Sequence, residues 1–132
     1  MAAVGSVDVE LLLLGWLQSR LGAAVVVRAE LDNNLANELP TVQVNVVGGD
    51  DDGFRLDRAL VDIDVYAATR ADAIALAAVI HGAVLTELRG STTTTAVVGR
   101  TGTISRPAAR PYENTALRRV GGTYEIHSHP VD

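Results

Sequence analysis

The sequence predicts a single α+β domain, spanning residues 1–132, in which two helices pack on one face of a mainly antiparallel sheet of 4–5 strands. Three observations predict it. Residues 60–66 alternate apolar and polar side chains, the period of a strand with one buried face. Residues 41–47 repeat that alternation, and residues 70–89 carry apolar side chains at helical spacing. A hydrophobic fraction of 48% in 132 residues supports one core.

The first predicted element is a helix that Ser6 caps and Gly22 ends. Asp8 and Glu10 fall in its first turn, where negative charge suits the helix dipole. Leu11 and Leu14 lie off the apolar face, so we expect the rest of the chain or a neighbouring subunit to cover them. The predicted apolar face consists of Val9, Leu12, Leu13, Trp16, Leu17 and Leu21.

The middle of the chain predicts three strands. Residues 25–27 are β-branched and predict a short strand, and residues 29–40 predict an ordered loop with one helical turn. Strands 41–47 and 60–66 should pair antiparallel across a long acidic loop that begins with a turn cluster at residues 48–53. In the second of these strands, Val61, Ile63 and Val65 should face the core, with Asp62 and Asp64 on the polar face.

The second half of the chain predicts a long helix and two further strands. Thr69 is the expected N-cap of a mostly covered helix that Gly90 ends. A strand at 94–105, broken or twisted at Gly99 and Gly102, then leads to a Pro-rich loop at 106–114 and a last strand at 117–129. The predicted order is α-β-β-β-α-β-β. The expected apolar stripe of the helix consists of Ile74, Ala77, Ala78, His81, Leu85 and Leu88, widened by Leu76, Ile80 and Val84.

Composition excludes several classes of function. The chain has no cysteine, so disulfides, thiolate catalysis and cysteine-bound zinc are ruled out. A net charge of −5 and only one Phe, one Trp and three Tyr argue against nucleic-acid binding. The apolar run at 11–14 is too short to span a membrane. We therefore expect a soluble cytosolic protein that binds neither DNA nor membrane.

The residues that carry reactive groups form no recognisable active site. Asp62 and Asp64 lie on one strand face, but alternating carboxylates also keep such a face polar. His127 and His129 lack a third ligand unless Asp62 or Asp64 lies on an adjacent strand. No phosphate-binding loop or nucleophile elbow occurs. We expect no catalytic residue, no metal and no cofactor, and hence no enzyme.

Several stretches in order resemble a tail terminator (tail completion) protein of long-tailed, siphovirus-type bacteriophages. They are the opening helix at 7–22, the segment 38–49, an acidic loop with Phe54, the segment 61–70, the Pro-Tyr-Glu-Asn segment at 111–114, and the last strand with Arg118, Arg119 and residues 123–126. The similarity spans nearly the whole chain.

The resemblance implies assembly without catalysis. Such proteins form a six-fold ring that caps the completed tail tube, ends its polymerisation and offers a surface for head joining. The implied partners are other copies of the chain, the major tail tube protein and the head–tail connector or neck protein, with DNA passing through unbound. The implied location is the head-proximal end of the tail in the virion, after assembly in the host cytoplasm. Candidate residues for subunit or tube contact are Asp50, Asp51, Asp52, Phe54, Arg55, Arg106, Arg110 and Tyr112.

Two alternatives stay open. Within the same class, the chain is a neighbouring neck protein of such a phage. In a different class, it is a small ligand- or metal-binding regulatory α+β domain that acts as a dimer, with His127 and His129 on a metal.

Overall fold

A computed structural model describes residues 7–131 and confirms the predicted order of elements. One helix is followed by three strands, a second helix and two strands. A 3₁₀ turn, Leu35–Asn37, interrupts the loop between the first two strands, as the sequence predicts. The bounds are α1 Val9–Leu21, β1 Val26–Arg28, β2 Thr41–Asp51, β3 Asp57–Ala67, α2 Arg70–Ala83 with a terminal π-helical turn Val84–Leu88, β4 Ala96–Arg110 and β5 Arg118–Pro130.

The five strands form one sheet in the order β1-β2-β3-β5-β4. β1 runs parallel to β2, and the other neighbours are antiparallel. Val61, Ile63 and Val65 of β3 point into the core, as their alternation predicts. Both helices contribute to the same core as these strands, so they cover one face of the sheet. The predicted two-layer α+β architecture is confirmed.

The buried face of α2 differs from the predicted stripe. Ile74 is 39% exposed and Ala78 is exposed, while Ala73, Ala77 and Ile80 are buried. Apolar residues occur all around this helix, so the sequence does not single out one face. The buried face carries Ala73 and Ala77 near the start of the helix, where their small side chains allow a close approach to the sheet. The expectation of a mostly covered helix is therefore wrong.

The outward side of α2 gives the helix an apolar surface. By length and composition alone, Arg70–Leu88 is apolar enough to cross a membrane. Its buried residues, including Val84 and Leu88, belong to the core that covers the sheet.

The predicted turn cluster at 48–53 is partly strand. Gly48–Asp51 pair with Leu60–Asp57 after a register shift next to Val46, so the connecting loop is residues 52–56. Gly49 has φ 137°, and a Cβ there would lie 2.1 Å from the Arg58 carbonyl oxygen. Glycine is thus required where this hairpin comes closest, and the pairing with β3 overrides the turn signal.

Strand β4 also extends further than predicted. It continues to Arg110, so the segment 106–110 is not part of a loop. Register shifts between Val98 and Thr101 and between Ser105 and Ala108 absorb the irregular residues. Pro107 is accommodated because β4 is an edge strand. The break at Gly99 falls in the first shift, whereas Gly102 pairs normally with Glu125.

The cap of α1 differs as well. Asp8, not Ser6, is the N-cap, and its carboxylate accepts the Leu11 amide at 3.0 Å. Ser6 lies outside the described residues. Leu14 packs against the core, whereas Leu11 remains 65% exposed. The subunit's own core therefore covers Leu14 but leaves Leu11 exposed.

Candidate assembly surface

The turn between β2 and β3 is an ordered, acidic tip. The Asp52 carboxylate accepts the backbone amides of Phe54, Arg55 and Leu56 at 2.9, 2.8 and 3.0 Å. These hydrogen bonds, chiefly those from Arg55 and Phe54, lower the pKa of Asp52. Arg55 Nη2 donates to the Pro130 carbonyl at 2.8 Å, which ties the tip to the end of β5. The tip is thus held by its own side chains.

Phe54 projects from this tip and is 75% exposed. Asp51 and Asp52 beside it are exposed, and Asp50 lies 3.5 Å from Arg58. A recess between the start of α1 and this hairpin brings Asp8 and Glu10 to the same region. We call the group Asp50, Asp51, Asp52, Phe54 and Arg55 the hairpin end of the molecule.

Of the two predicted arginines, Arg110 lies at the opposite end of the sheet, whereas Arg106 lies beside Gly122, near the middle of β3. β4 is parallel to β3, since both are antiparallel to β5. Arg110 therefore pairs with Arg119 beside Tyr66, near the last residue of β3, while the hairpin end precedes its first. The eleven residues of β3 separate the two groups by roughly 33 Å. We call Arg70, Arg110, Arg118 and Arg119 the arginine end.

Arg110 is occupied within its own subunit. Its Nη1 lies 3.0 Å from Asp64 Oδ1 and 3.7 Å from Asp62 Oδ1, and its Nη2 donates to Thr123 Oγ1 at 3.2 Å. The Thr123 hydroxyl in turn donates to Asp62. These contacts hold the Arg110 guanidinium within its own subunit. Arg106, on the same strand, is exposed. The structure brings neither arginine near Asp50, Asp51 or Asp52 of the same subunit.

Asp62 and Asp64 on β3 both lie close to Arg110 of β4, and β5 runs between these two strands. Gly121 of β5 lies between Asp64 and Arg110, and a Cβ there would sit 1.8 Å from Asp64 Oδ1. Burial raises the pKa of Asp64, and the nearby Arg110 charge opposes that rise without cancelling it. The two carboxylates thus belong to an ion-pair network on the polar face of the sheet, as the structural interpretation of their alternating spacing predicts.

Tyr112 lies at the arginine end. Its ring packs edge-on against Tyr66 at 5.1 Å between centroids, and the Arg119 guanidinium lies 5.5 Å from its centroid. Leu35 and Leu117 join Tyr66 in a small second core. The loop at 29–40 therefore covers this end of the polar sheet face.

The register separates the histidines from the strand carboxylates. His127 pairs with Arg58, and Asp62 pairs with Thr123, four residues away along β5. His127 Nε2 lies 3.7 Å from Glu125 Oε1, and His129 Nδ1 contacts the Pro130 carbonyl at 2.9 Å. Among residues 7–131, no three His, Asp or Glu side chains cluster as metal ligands. The dimeric metal-binding alternative therefore gains no ligand set from the described fold.

Sequence reasoning missed two surface features. The outward face of α2 exposes Ile74 and Val79, the latter by 58%. Arg58 bridges Glu125, at 3.0 Å, and Asp50 across neighbouring strands. A high alanine content in the helix was the available signal for the first feature. The second depends on strand register, which the sequence alone does not give.

Comparisons with known proteins identify the fold. No family model matches the chain, and no curated protein sequence matches it. Among solved structures, a chain from the virion of a native gene transfer agent (GTA) particle matches with a TM-score of 0.61 and 20% sequence identity. The match covers 96% of this chain and 88% of that chain. At this identity the match shows that the two chains share a fold over nearly their whole lengths.

Proposed function

We propose that this chain is a structural protein of a phage-like virion, and specifically a tail terminator subunit. The observation that carries the proposal is the shared fold with a virion chain, which covers 96% of the sequence. The resemblance noted from the sequence supports the same class. The role is one of assembly, with no reaction to catalyse.

The distribution of charge supports a ring. The hairpin end and the arginine end lie at opposite ends of one sheet, so the exposed Asp51 and Asp52 can meet the arginine end only in a different subunit. Such a head-to-tail contact is heterologous, and it generates a closed ring when the rotation per subunit closes. We propose a six-fold ring in which Asp50, Asp51 and Asp52 face the arginine end of the next subunit, with Arg70 and Arg118 as the exposed contacts there and Arg106 further along β4.

The remaining surfaces are assigned to other virion proteins. In this proposal one side of the ring caps the tail tube protein and stops its polymerisation, and the other side meets the neck. A net charge of −5 suits a ring through which DNA passes, because an acidic lining does not hold phosphate. The protein then resides in the virion, at the head-proximal end of the tail, after assembly in the host cytoplasm.

The test is the molar mass of the purified protein by light scattering across a concentration series, with and without divalent metal. Growth toward a hexamer, with six-fold rings in electron micrographs, is the expected result. A sample that stays monomeric alone is next mixed with phage tail tubes, where the protein should bind tube ends and stop elongation. A stable dimer that requires metal would refute the proposal and favour the regulatory alternative.

A further inference from the structure

The exposed Phe54 needs an apolar partner that its own subunit does not supply. It is 75% exposed at the end of a turn whose backbone Asp52 holds by three hydrogen bonds. A large apolar side chain held in this way in an ordered turn is typical of an interface anchor. Its acidic neighbours require that the partner surface be basic.

A groove of that kind exists at the arginine end. It has a volume of about 270 Å³, and its lining includes Tyr112, the buried Leu117, and Arg70, Arg118 and Arg119. We call it the arginine groove. Its volume lies below the roughly 300–1,000 Å³ of pockets for small-molecule ligands, so it suits a single side chain. An aromatic ring placed there meets another aromatic ring and guanidinium groups, which favour its face.

A second apolar groove fits the tip less well. It lies between α2 and the segment before β2, and its lining includes Leu39, Pro40 and Val79. Its charged lining residue is Asp72, and no arginine lines it. An acidic tip entering it would meet like charge, which costs free energy. Charge complementarity therefore selects the arginine groove.

We infer that Phe54 of one copy inserts into the arginine groove of the next copy, and that this contact joins neighbouring subunits of the ring. The inference rests on the proposed function and adds the anchor residue and its receptor. Asp51 and Asp52 then face Arg70 and Arg118 around the inserted ring. Because a subunit's own groove lies roughly 33 Å from its tip, the contact forms only between copies.

The test places the photo-reactive phenylalanine analogue p-benzoylphenylalanine at position 54, which keeps an aromatic side chain there. After irradiation of the assembled protein, mass spectrometry should find crosslinks to residues 109–120. The matched control carries the same analogue at Ile104, which is 51% exposed on β4. We expect no crosslink from Ile104 to residues 109–120 of another copy.

Affinity gives the second readout. Phe54→Ala should weaken self-association about tenfold or more, the loss typical of an interface anchor. Ile104→Ala should leave it within about twofold, and circular dichroism melts should show that both variants fold. Rings whose crosslinks from position 54 fall elsewhere would overturn this inference and leave the proposed function standing. A wild type that forms no ring, alone or with tail tubes, would overturn both.

Discussion

At the residue scale, Gly121 allows an ion pair to form on the polar face of the sheet. Asp64 is buried on β3, and its partner Arg110 belongs to β4, on the far side of β5. Their contact at 3.0 Å passes over Gly121, the one position on β5 that pairs with Asp64. A carboxylate buried without such a partner would be strongly disfavoured. The absence of a side chain at Gly121 is therefore what admits the ion pair.

Gly121→Ala should destabilise the protein. The added Cβ would lie 1.8 Å from Asp64 Oδ1 and 3.0 Å from Arg110 Nη1, so the carboxylate must move away from the guanidinium. We expect the free energy of unfolding to fall by about 2 kcal/mol, less than for a fully buried ion pair because Arg110 is partly exposed. Urea denaturation measures it. The matched control is the strand glycine Gly99→Ala, where the nearest atom to the new Cβ, the His127 carbonyl oxygen, lies 3.9 Å away. Equal stability of the Gly121 variant and the wild type would contradict this account.

At the scale of elements, a hydrogen bond between two side chains helps to join α2 to the sheet. His81 Nδ1 of α2 lies 2.8 Å from the Tyr124 hydroxyl of β5, and the Tyr124 ring is buried in the core. A half-buried histidine on the inner side of the helix thus gives the buried tyrosine a polar partner. Together with the hydrogen bond from Thr101 Oγ1 to the Val84 carbonyl at 2.8 Å, this contact holds α2 against the sheet.

The Tyr124 phenol predicts loss of stability in alkali. Burial raises its pKa to about 12. A group whose pKa is raised on folding adds stability below its ordinary pKa of 10.0 and loses it as pH rises toward the folded value. The free energy of unfolding should therefore fall between pH 10.0 and about 12.

The comparison is Tyr124→Phe, with Tyr112→Phe as the matched control. Without the phenol, the Tyr124 variant should lose less stability over this range, although the missing hydrogen bond lowers stability by about 1 kcal/mol at pH 7. Urea denaturation at several pH values gives the slopes. Equal slopes for Tyr124→Phe and the wild type would show that the buried phenol does not carry the effect.

The same scale explains what the sequence predicts and what it does not. Strand β3 is predictable because Val61, Ile63 and Val65 alternate with polar residues, and one buried face requires that period. The Thr69 cap is predictable because a side-chain oxygen and the Asp72 amide are close in sequence. The inner face of α2 is not, because apolar residues surround it.

Long-range pairing also sets the candidate site. Gly48–Asp51 have turn composition, yet their pairing with β3 makes them strand. Asp64 and Arg110 can pair because β5, the strand between β3 and β4, has Gly121 at the position between them. The sequence identifies Asp50, Asp51, Asp52 and Phe54 as a surface group, but only the strand register places the arginine end opposite them. The separation of acidic and basic residues on the surface therefore follows from the strand order and register.

At the scale of the whole molecule, the proposed ring predicts that association depends on salt. Opposite charges that meet between subunits attract over a Debye length of about 10 Å at 0.1 M salt, which shrinks to about 3 Å at 1 M. We therefore expect self-association to weaken by tenfold or more between these conditions, measured by light scattering. Phe54→Ala should weaken it by a similar factor at both, because apolar burial is not screened. Urea denaturation of the monomer at each salt concentration is the control for folding. Association that is unchanged or stronger in 1 M salt would contradict charge pairing between the acidic hairpin end and the arginine end.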